Sequence, residues 1–189
     1  MRAGGGGKAV SIRSVRSFGE ERGVGSGFPG YSGQAFSPAG DKGRFSLPPA
    51  FRKAVKEASD GNRTLCLDKH PQYKCLVGFG TGRRDELQAQ LDREADRADR
   101  HDRDFDYDAR AQQLFGFEML PFDDSGRFVM PAFLSDLAEI EDGLFFRGAG
   151  RSFTIWNPKE LFKMGPEWEA AQAACRSLME QAAAKGKGK

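Results

Sequence analysis

Apolar residues recur in short alternating runs in the first third of the chain, and these runs predict β-strands. Arg44-Phe-Ser-Leu47 alternates polar and apolar positions, as a half-buried strand does. Pro48 and Pro49 then favour a helix start, because proline suits the first helical turn. The remaining elements predicted here are strands at Tyr31–Ser37, Thr64–Leu67 and Lys74–Phe79 and a helix at Ala50–Ala58.

The same order of elements returns in the second half of the chain. Asp41-Lys-Gly-Arg-Phe-Ser-Leu-Pro48 matches Asp124-Ser-Gly-Arg-Phe-Val-Met-Pro131 at five of eight positions, 83 residues apart. The pattern predicts a strand before the second block, then a short helix and two strands after it. These elements fall at Phe117–Phe122, Ala132–Leu137, Leu144–Arg147 and Ser152–Trp156. The shared motif and element order together indicate an internal duplication.

Three segments lie outside the two repeats. Residues 1–27 mix glycines with Arg and Lys and predict a disordered basic extension. Residues 83–113 are strongly charged and predict a solvated helix or helical hairpin, docked through a thin stripe around Leu87 and Leu91. The predicted organisation is an extension at 1–27, repeat 1 at 31–80, a charged linker at 83–113, repeat 2 at 114–160, and a C-terminal helix with a basic tail at 161–189.

The C-terminal segment contains two helix starts. Asn157 followed by Pro158 is a cap with proline at the first helical position, and Pro166 begins a longer helix. Apolar residues of that helix fall on one face, which packs either on the chain's own core or on another subunit. They are Trp168, Ala171, Cys175, Leu178, Met179 and Ala182.

Charge is distributed unevenly, although the net charge of the 189 residues is only +2. Residues 1–57 carry ten Lys or Arg against four Asp or Glu, whereas residues 82–140 carry eight against fifteen. The N-terminal part can therefore face a polyanion and the middle cannot. No uncharged apolar run reaches the length of a transmembrane helix, so no membrane association is expected. Three cysteines without a C-x-x-C pair favour a reducing cytoplasm over a disulfide framework.

The repeated pattern of a strand, Asp-x-Gly-Arg-Phe-x-hydrophobic-Pro and a short helix resembles the SpoVT/AbrB-type swapped-hairpin domain. Two copies, a charged helical linker and the segment Gly148 to Trp156 resemble the MraZ family over about Tyr31 to Lys163. The resemblance implies an α+β, mostly β fold, in which both repeats form one pseudo-symmetric barrel with flanking helices. It also implies a cytoplasmic, nucleoid-associated transcriptional regulator without enzymatic activity or a cofactor.

The partners implied by the resemblance are double-stranded DNA and further copies of the chain itself. The family forms ring-shaped homo-oligomers on short repeated sites upstream of its own operon, among cell-division and cell-wall genes.

Clustered cations distinguish the first repeat from the second. Phosphate neutralisation needs several Lys or Arg side chains together, which only the first repeat supplies. The predicted DNA-binding residues are Lys42, Arg44, Arg52, Lys53 and Lys56. The resemblance implies an Asp-x-x-x-Arg motif in each repeat, which Asp123 and Arg127 keep as a structural pair pinning a turn. Gly40 stands at the equivalent position before Arg44, so either Asp41 substitutes or Arg44 is free to contact phosphate.

Two other functional classes remain as alternatives. An oligomeric protein-interaction module, antitoxin-like or a scaffold, would use the apolar face of the C-terminal helix. An enzyme would use the turn Gly78–Gly82 to cradle a nucleotide phosphate, although the third glycine of the dinucleotide pattern is absent. No catalytic or metal site is predicted: Cys66, His70 and Cys75 lack a fourth ligand, and Asp102 to Asp108 lack the glycine and glutamate of a calcium loop.

Overall fold

The computed structural model describes residues 30–40 and 43–187, so the predicted basic extension at 1–27 and Lys42 lie outside the described residues. The strands are β1 (Gln34–Pro38), β2 (Arg44–Ser46), β3 (Thr64–Lys69), β4 (Leu76–Phe79), β5 (Glu118–Pro121), β6 (Arg127–Val129), β7 (Gly143–Gly148) and β8 (Phe153–Trp156). The helices are α1 (Pro49–Glu57), α2 (Arg83–Arg100), α3 (Tyr107–Phe115), α4 (Ala132–Leu137), α5 (Pro158–Leu161) and α6 (Glu169–Lys187), with a 3-10 turn at Pro166–Trp168.

Six strands form one antiparallel sheet in the order β1-β7-β8-β4-β3-β5, and β2 pairs separately with β6 as a two-stranded ribbon. The predicted barrel is wrong, because β1 and β5 are opposite edges of the sheet and do not pair with each other. The expectation of a mostly β chain also fails for the described residues, because α2, α3 and α6 add more helical residues than the strands contain. The fold is mixed, with helices around a mostly antiparallel sheet.

Strands β1 to β4 of the first half correspond in order to β5 to β8 of the second half, and corresponding strands have corresponding partners. Edge strand β1 pairs with β7 of the second half, and edge strand β5 pairs with β3 of the first half. The register follows the same rule, since Phe36 opposes Phe145 and Met119 opposes Cys66. Each edge strand therefore pairs with a strand of the other half of the chain, and Phe45 opposes Phe128 in the ribbon.

The core occupies the space between the sheet and the helices that cover it. Phe51 and Val55 of α1 and Leu134 of α4 are buried on the sheet, where burial of each side chain stabilises the fold by about 2 kcal/mol. Phe51 packs its ring 5.1 Å from that of Phe153. A second cluster forms around Trp156 and is covered by α6.

Helices α2 and α3 of the charged linker pack on each other as a hairpin. Leu87 and Leu91 are the buried residues of α2, and they anchor an otherwise polar helix to the rest of the chain. Arg110 of α3 holds Glu94 of α2 through an ion pair of 2.6 Å, which joins the two helices of the hairpin.

The apolar face of the C-terminal helix packs on the chain's own core. Ala171 and Cys175 are fully buried against Trp156, and the ring of Trp168 lies 5.1 Å from that of Trp156. The predicted cap is confirmed, since the side chain of Asn157 accepts a hydrogen bond from the backbone of Lys159. No helix in residues 30–40 or 43–187 is long and apolar enough to cross a membrane.

Candidate nucleic-acid interface

The ribbon of β2 and β6 has one buried and one exposed face. Phe45 and Phe128 oppose each other on the buried face, with ring centroids 6.3 Å apart. Alternation along each strand places Arg44, Arg127 and Val129 on the opposite face, where all three are exposed. Both arginines also line a shallow depression of about 490 Å³ beside β5. The sequence signal for the exposed position of the two arginines is the period-two alternation of each strand around one buried phenylalanine.

The turn before β6 is built around Asp123. Its Oδ1 accepts hydrogen bonds from the backbones of Ser125 and Arg127, each 2.9 Å long, and its Oδ2 lies 2.7 Å from Arg127 Nε. The backbone N–H and the guanidinium of Arg127 lower the pKa of the Asp123 carboxyl below its usual value. Asp123 thus contacts both the backbone of the turn and the guanidinium of Arg127.

One backbone hydrogen bond before β2 corresponds to one before β6. Gly40 donates its backbone N–H to Arg44 O at 2.8 Å, which matches the bond of 3.0 Å from Asp123 to Arg127. Among the described residues no carboxylate lies within 4 Å of Arg44, so its guanidinium is exposed without an ion-pair partner in that part of the chain. Asp41, the substitute partner considered from the sequence, lies outside the described residues.

The cations of α1 divide between two sides of the helix. Arg52 is partly buried and donates from Nη1 to the backbone oxygen of Asp124 at 2.9 Å, so it ties α1 to the turn of the second half. Lys56 follows one helical turn later on the same side and is exposed. Lys53 lies on a different side, 3.8 Å from Glu57.

Sequence reasoning missed Arg63. Its guanidinium lies 2.7 Å from the carboxylate of Asp124, so it adds a cation beside Arg52 at the turn of the second half. No motif marks Arg63, because the contact joins residues 61 positions apart and is visible only once the halves are folded together.

Relatives of known name share most of the chain. No family profile matches it. A protein of Gluconacetobacter diazotrophicus is 31% identical over 147 residues, covering 77% of this chain and 87% of the relative. A protein of Gluconobacter oxydans is 30% identical over 72% of this chain and 79% of the relative, and one of Rhodospirillum rubrum is 35% identical over 64% and 74%. All three are named transcriptional regulator MraZ.

The chain belongs to the MraZ family. The alignments cover most of the length of each relative, so the family assignment rests on the chain as a whole and not on one short motif.

The geometry of this MraZ-family chain gives the glycine turn Gly78–Gly82 a packing role. The backbone N–H groups of positions 80, 81 and 82 donate to Tyr31 Oη, Ser59 Oγ and Ala58 O, at 2.7 to 2.9 Å. A Cβ at Gly78 would lie 2.5 Å from the ring of Phe153, so a side chain does not fit there. Phosphate binding by these three backbone N–H groups would need donors that the protein already uses.

The remaining candidate groups show ordinary structural environments. Burial raises the pKa of the three free thiols to about 11 for Cys66, about 12 for Cys75 and about 11 for Cys175. Within the described part of the chain, no group of three or more His, Cys, Asp or Glu is placed to hold a metal ion. The protein-interaction alternative relied on the C-terminal apolar face, which Trp156 and its neighbours cover.

Proposed function

We propose that the chain is a sequence-specific, DNA-binding transcriptional regulator that contacts DNA with the exposed face of the β2–β6 ribbon. The major groove of B-DNA admits a two-stranded β-ribbon, and arginine is the side chain that most often pairs with guanine there. The observation that carries the proposal is Arg44, exposed on that face with no carboxylate partner among the residues described. The name of the relatives, transcriptional regulator, supports the same function.

The cations around the ribbon supply the contacts to phosphate. We assign this role to the cluster predicted from sequence, of which Arg44, Lys53 and Lys56 are the exposed described members. Arg63 is added beside Arg52. The full predicted cluster is Lys42, Arg44, Arg52, Lys53 and Lys56. Because about five phosphate contacts give weak and salt-sensitive binding, one copy of the chain is insufficient.

Assembly compensates for the weak binding of a single copy. A ring-like homo-oligomer places several ribbons on one DNA, and repeated sites then gain affinity through effective concentration. The resemblance to the MraZ family supports such sites upstream of the chain's own operon, in a cell-division and cell-wall gene cluster. A nucleoid-associated location in the cytoplasm follows from this function.

Two swapped-hairpin repeats, at 31–80 and 114–160, account for the strand exchange between the halves. At two places in the fold, a residue pairs with its counterpart in the other half. These pairs are Phe45 with Phe128 and Val77 with Thr154. Duplication followed by divergence explains why the first repeat is basic and the second repeat is acidic. The linker at 83–113 and the segment at 161–189 then cover surfaces that the repeats leave open.

The test compares Arg44→Ala with a matched control, Arg93→Ala. Arg93 is an exposed arginine of α2, so both variants remove one charge. Fluorescence anisotropy on DNA from upstream of the gene should show about a tenfold or greater loss for Arg44→Ala and a salt slope lower by about one, because one base or phosphate contact is removed. Arg93→Ala should bind like the wild type. Equal losses in both variants would contradict the ribbon as the interface.

A further inference from the structure

The exposed face of the ribbon carries a large apolar side chain. Val129 is 60% exposed, which makes it the most exposed of the large apolar residues in the described part of the chain. It stands opposite Arg44 in the antiparallel register of β2 and β6. Directly opposed residues of two antiparallel strands have Cβ atoms about 5 Å apart, so the valine lies beside the arginine on the face proposed to contact DNA.

Packing within the ribbon does not account for an apolar residue at this position. Ser46 stands at the equivalent position of the first repeat, 83 residues earlier, and pairs with Arg127 in the same register. The ribbon therefore forms with a polar residue there, and two opposed phenylalanines supply its buried side. The methyl groups of Val129 face solvent, and they gain the free energy of apolar burial only when a partner covers them.

The neighbours of Val129 indicate what kind of partner would cover it. The depression of about 490 Å³ beside β5 is lined by apolar and cationic side chains, namely Val129, Pro121, Arg44 and Arg127. Asp123 also lines it, and its carboxylate is already paired with Arg127. In the major groove, guanine presents two hydrogen-bond acceptors, and thymine presents a C5-methyl group that cytosine lacks. A surface with both donors and apolar carbon therefore matches a base edge that includes thymine.

We infer that Val129 contacts the C5-methyl group of a thymine in the recognised DNA and thereby selects thymine at that position. Apolar side chains make this contact in the major groove, whereas arginine pairs with guanine there. Arg44 and Val129 would thus read neighbouring bases by two different kinds of contact. The inference rests on the proposed function, because it requires the exposed face of the ribbon to lie in the major groove.

The first test removes the methyl group from the DNA and leaves the protein unchanged. Each thymine of the duplex from upstream of the gene is replaced in turn by deoxyuridine, which keeps the base pair. Anisotropy should show a loss of about fourfold at one position or more, the effect of one buried methyl group. If the native duplex is preferred over a scrambled one but no position responds, the inference is overturned and the proposed function stands. Equal binding to native and scrambled duplexes would overturn both.

The second test assigns the effect to Val129. The ratio of affinities for the thymine and deoxyuridine duplexes should fall to about one in Val129→Ser and should persist in Val129→Ile, which keeps an apolar side chain. Met119→Ser is the matched control, because Met119 is 48% exposed on β5 outside the ribbon, and it should keep the wild-type ratio. A ratio is taken within each variant, so a general loss of stability or affinity does not change it.

Two outcomes of the second test would overturn the inference. One is a wild-type ratio in Val129→Ser, which would show that another group contacts the methyl. The other is a lower molar mass of Val129→Ser in light scattering without DNA, which would show that the exposed valine is covered by another copy of the chain. We expect the mass of Val129→Ser to equal that of the wild type.

Discussion

Gly126 and Gly43 stand at corresponding positions before β6 and β2, and among the described residues Gly126 is the more tightly packed of the two. Both have positive φ, +82° and +68°, which an L-residue adopts at a cost of about 1–2 kcal/mol. A Cβ on Gly126 would lie 2.8 Å from Leu47 O and 3.0 Å from Arg52 Cδ, whereas a Cβ on Gly43 meets nothing within 4 Å in the described structure. Substitution by alanine therefore separates backbone strain from steric overlap.

The expected destabilisation differs between the two sites. In Gly43→Ala the strain is partly offset by the lower entropy of the unfolded chain, which leaves about 1 kcal/mol. Gly126→Ala adds overlap with a backbone oxygen, typically about 1–3 kcal/mol. The overlap also disturbs the hydrogen bond of 2.8 Å from Leu47 N to Gly126 O, whereas no described atom would be overlapped beside the equivalent bond of 3.1 Å from Met130 N to Gly43 O. We expect Gly126→Ala to cost about 2–4 kcal/mol in total.

Urea unfolding followed by tryptophan fluorescence, to which buried Trp156 and partly buried Trp168 contribute, measures both variants. All samples need the same protein concentration, because assembly makes the apparent stability depend on concentration. Equal losses for Gly43→Ala and Gly126→Ala would refute the packing assigned to the second turn. A larger loss for Gly43→Ala would show that the first turn is the more constrained one.

Three further predictions concern buried polar groups. Partial burial, aided by the charge of Lys69, lowers the pKa of His70, so folding favours its neutral form. The free energy of unfolding should therefore fall as the pH drops from 7 through 5, and it should fall less in His70→Gln. Urea midpoints at each pH measure the difference. Tyr31→Phe should cost about 1–3 kcal/mol in urea unfolding, because the buried backbone N–H of Gly80 loses its acceptor; an unchanged midpoint would exclude this bond as a stabilising contact. The three buried thiols should react with Ellman's reagent only on unfolding, and three fast thiols in the native protein would contradict their burial.

Local signals predicted the elements well. Helix α4 has the predicted bounds Ala132–Leu137, and the helix starts at Asn157 and Pro166 are confirmed. Proline, capping residues and period-two alternation act within a few residues of chain, so one sequence is enough to detect them. Tyr31 shows the limit at boundaries: it was expected to begin a strand, but it forms only an isolated bridge to Gly150 before β1 starts at Gln34.

Contacts between residues far apart in the chain could not be predicted in the same way. Alternation along β1 and β5 predicts a strand but does not say whether two sheet edges meet, and the barrel was wrong for that reason. At the candidate interface, the repeated motif predicts both Arg44 and the Asp123–Arg127 pair. The structure places Arg127 beside Asp123, and the DNA-binding role of Arg44 stays a prediction. The sequence did not reveal that Arg52 donates to the turn of the other half, since that contact joins residues 72 positions apart.

The proposed function depends on recognition of a specific DNA sequence by the exposed ribbon. It is tested by anisotropy titrations of the wild-type chain on DNA from immediately upstream of its gene and on a scrambled duplex of the same composition. Across a salt series, we expect tighter binding to the native duplex and a steep loss of affinity as salt rises, because cations on the ribbon side displace counterions. Equal, weak binding to both duplexes at every salt concentration would show that the ribbon does not read sequence.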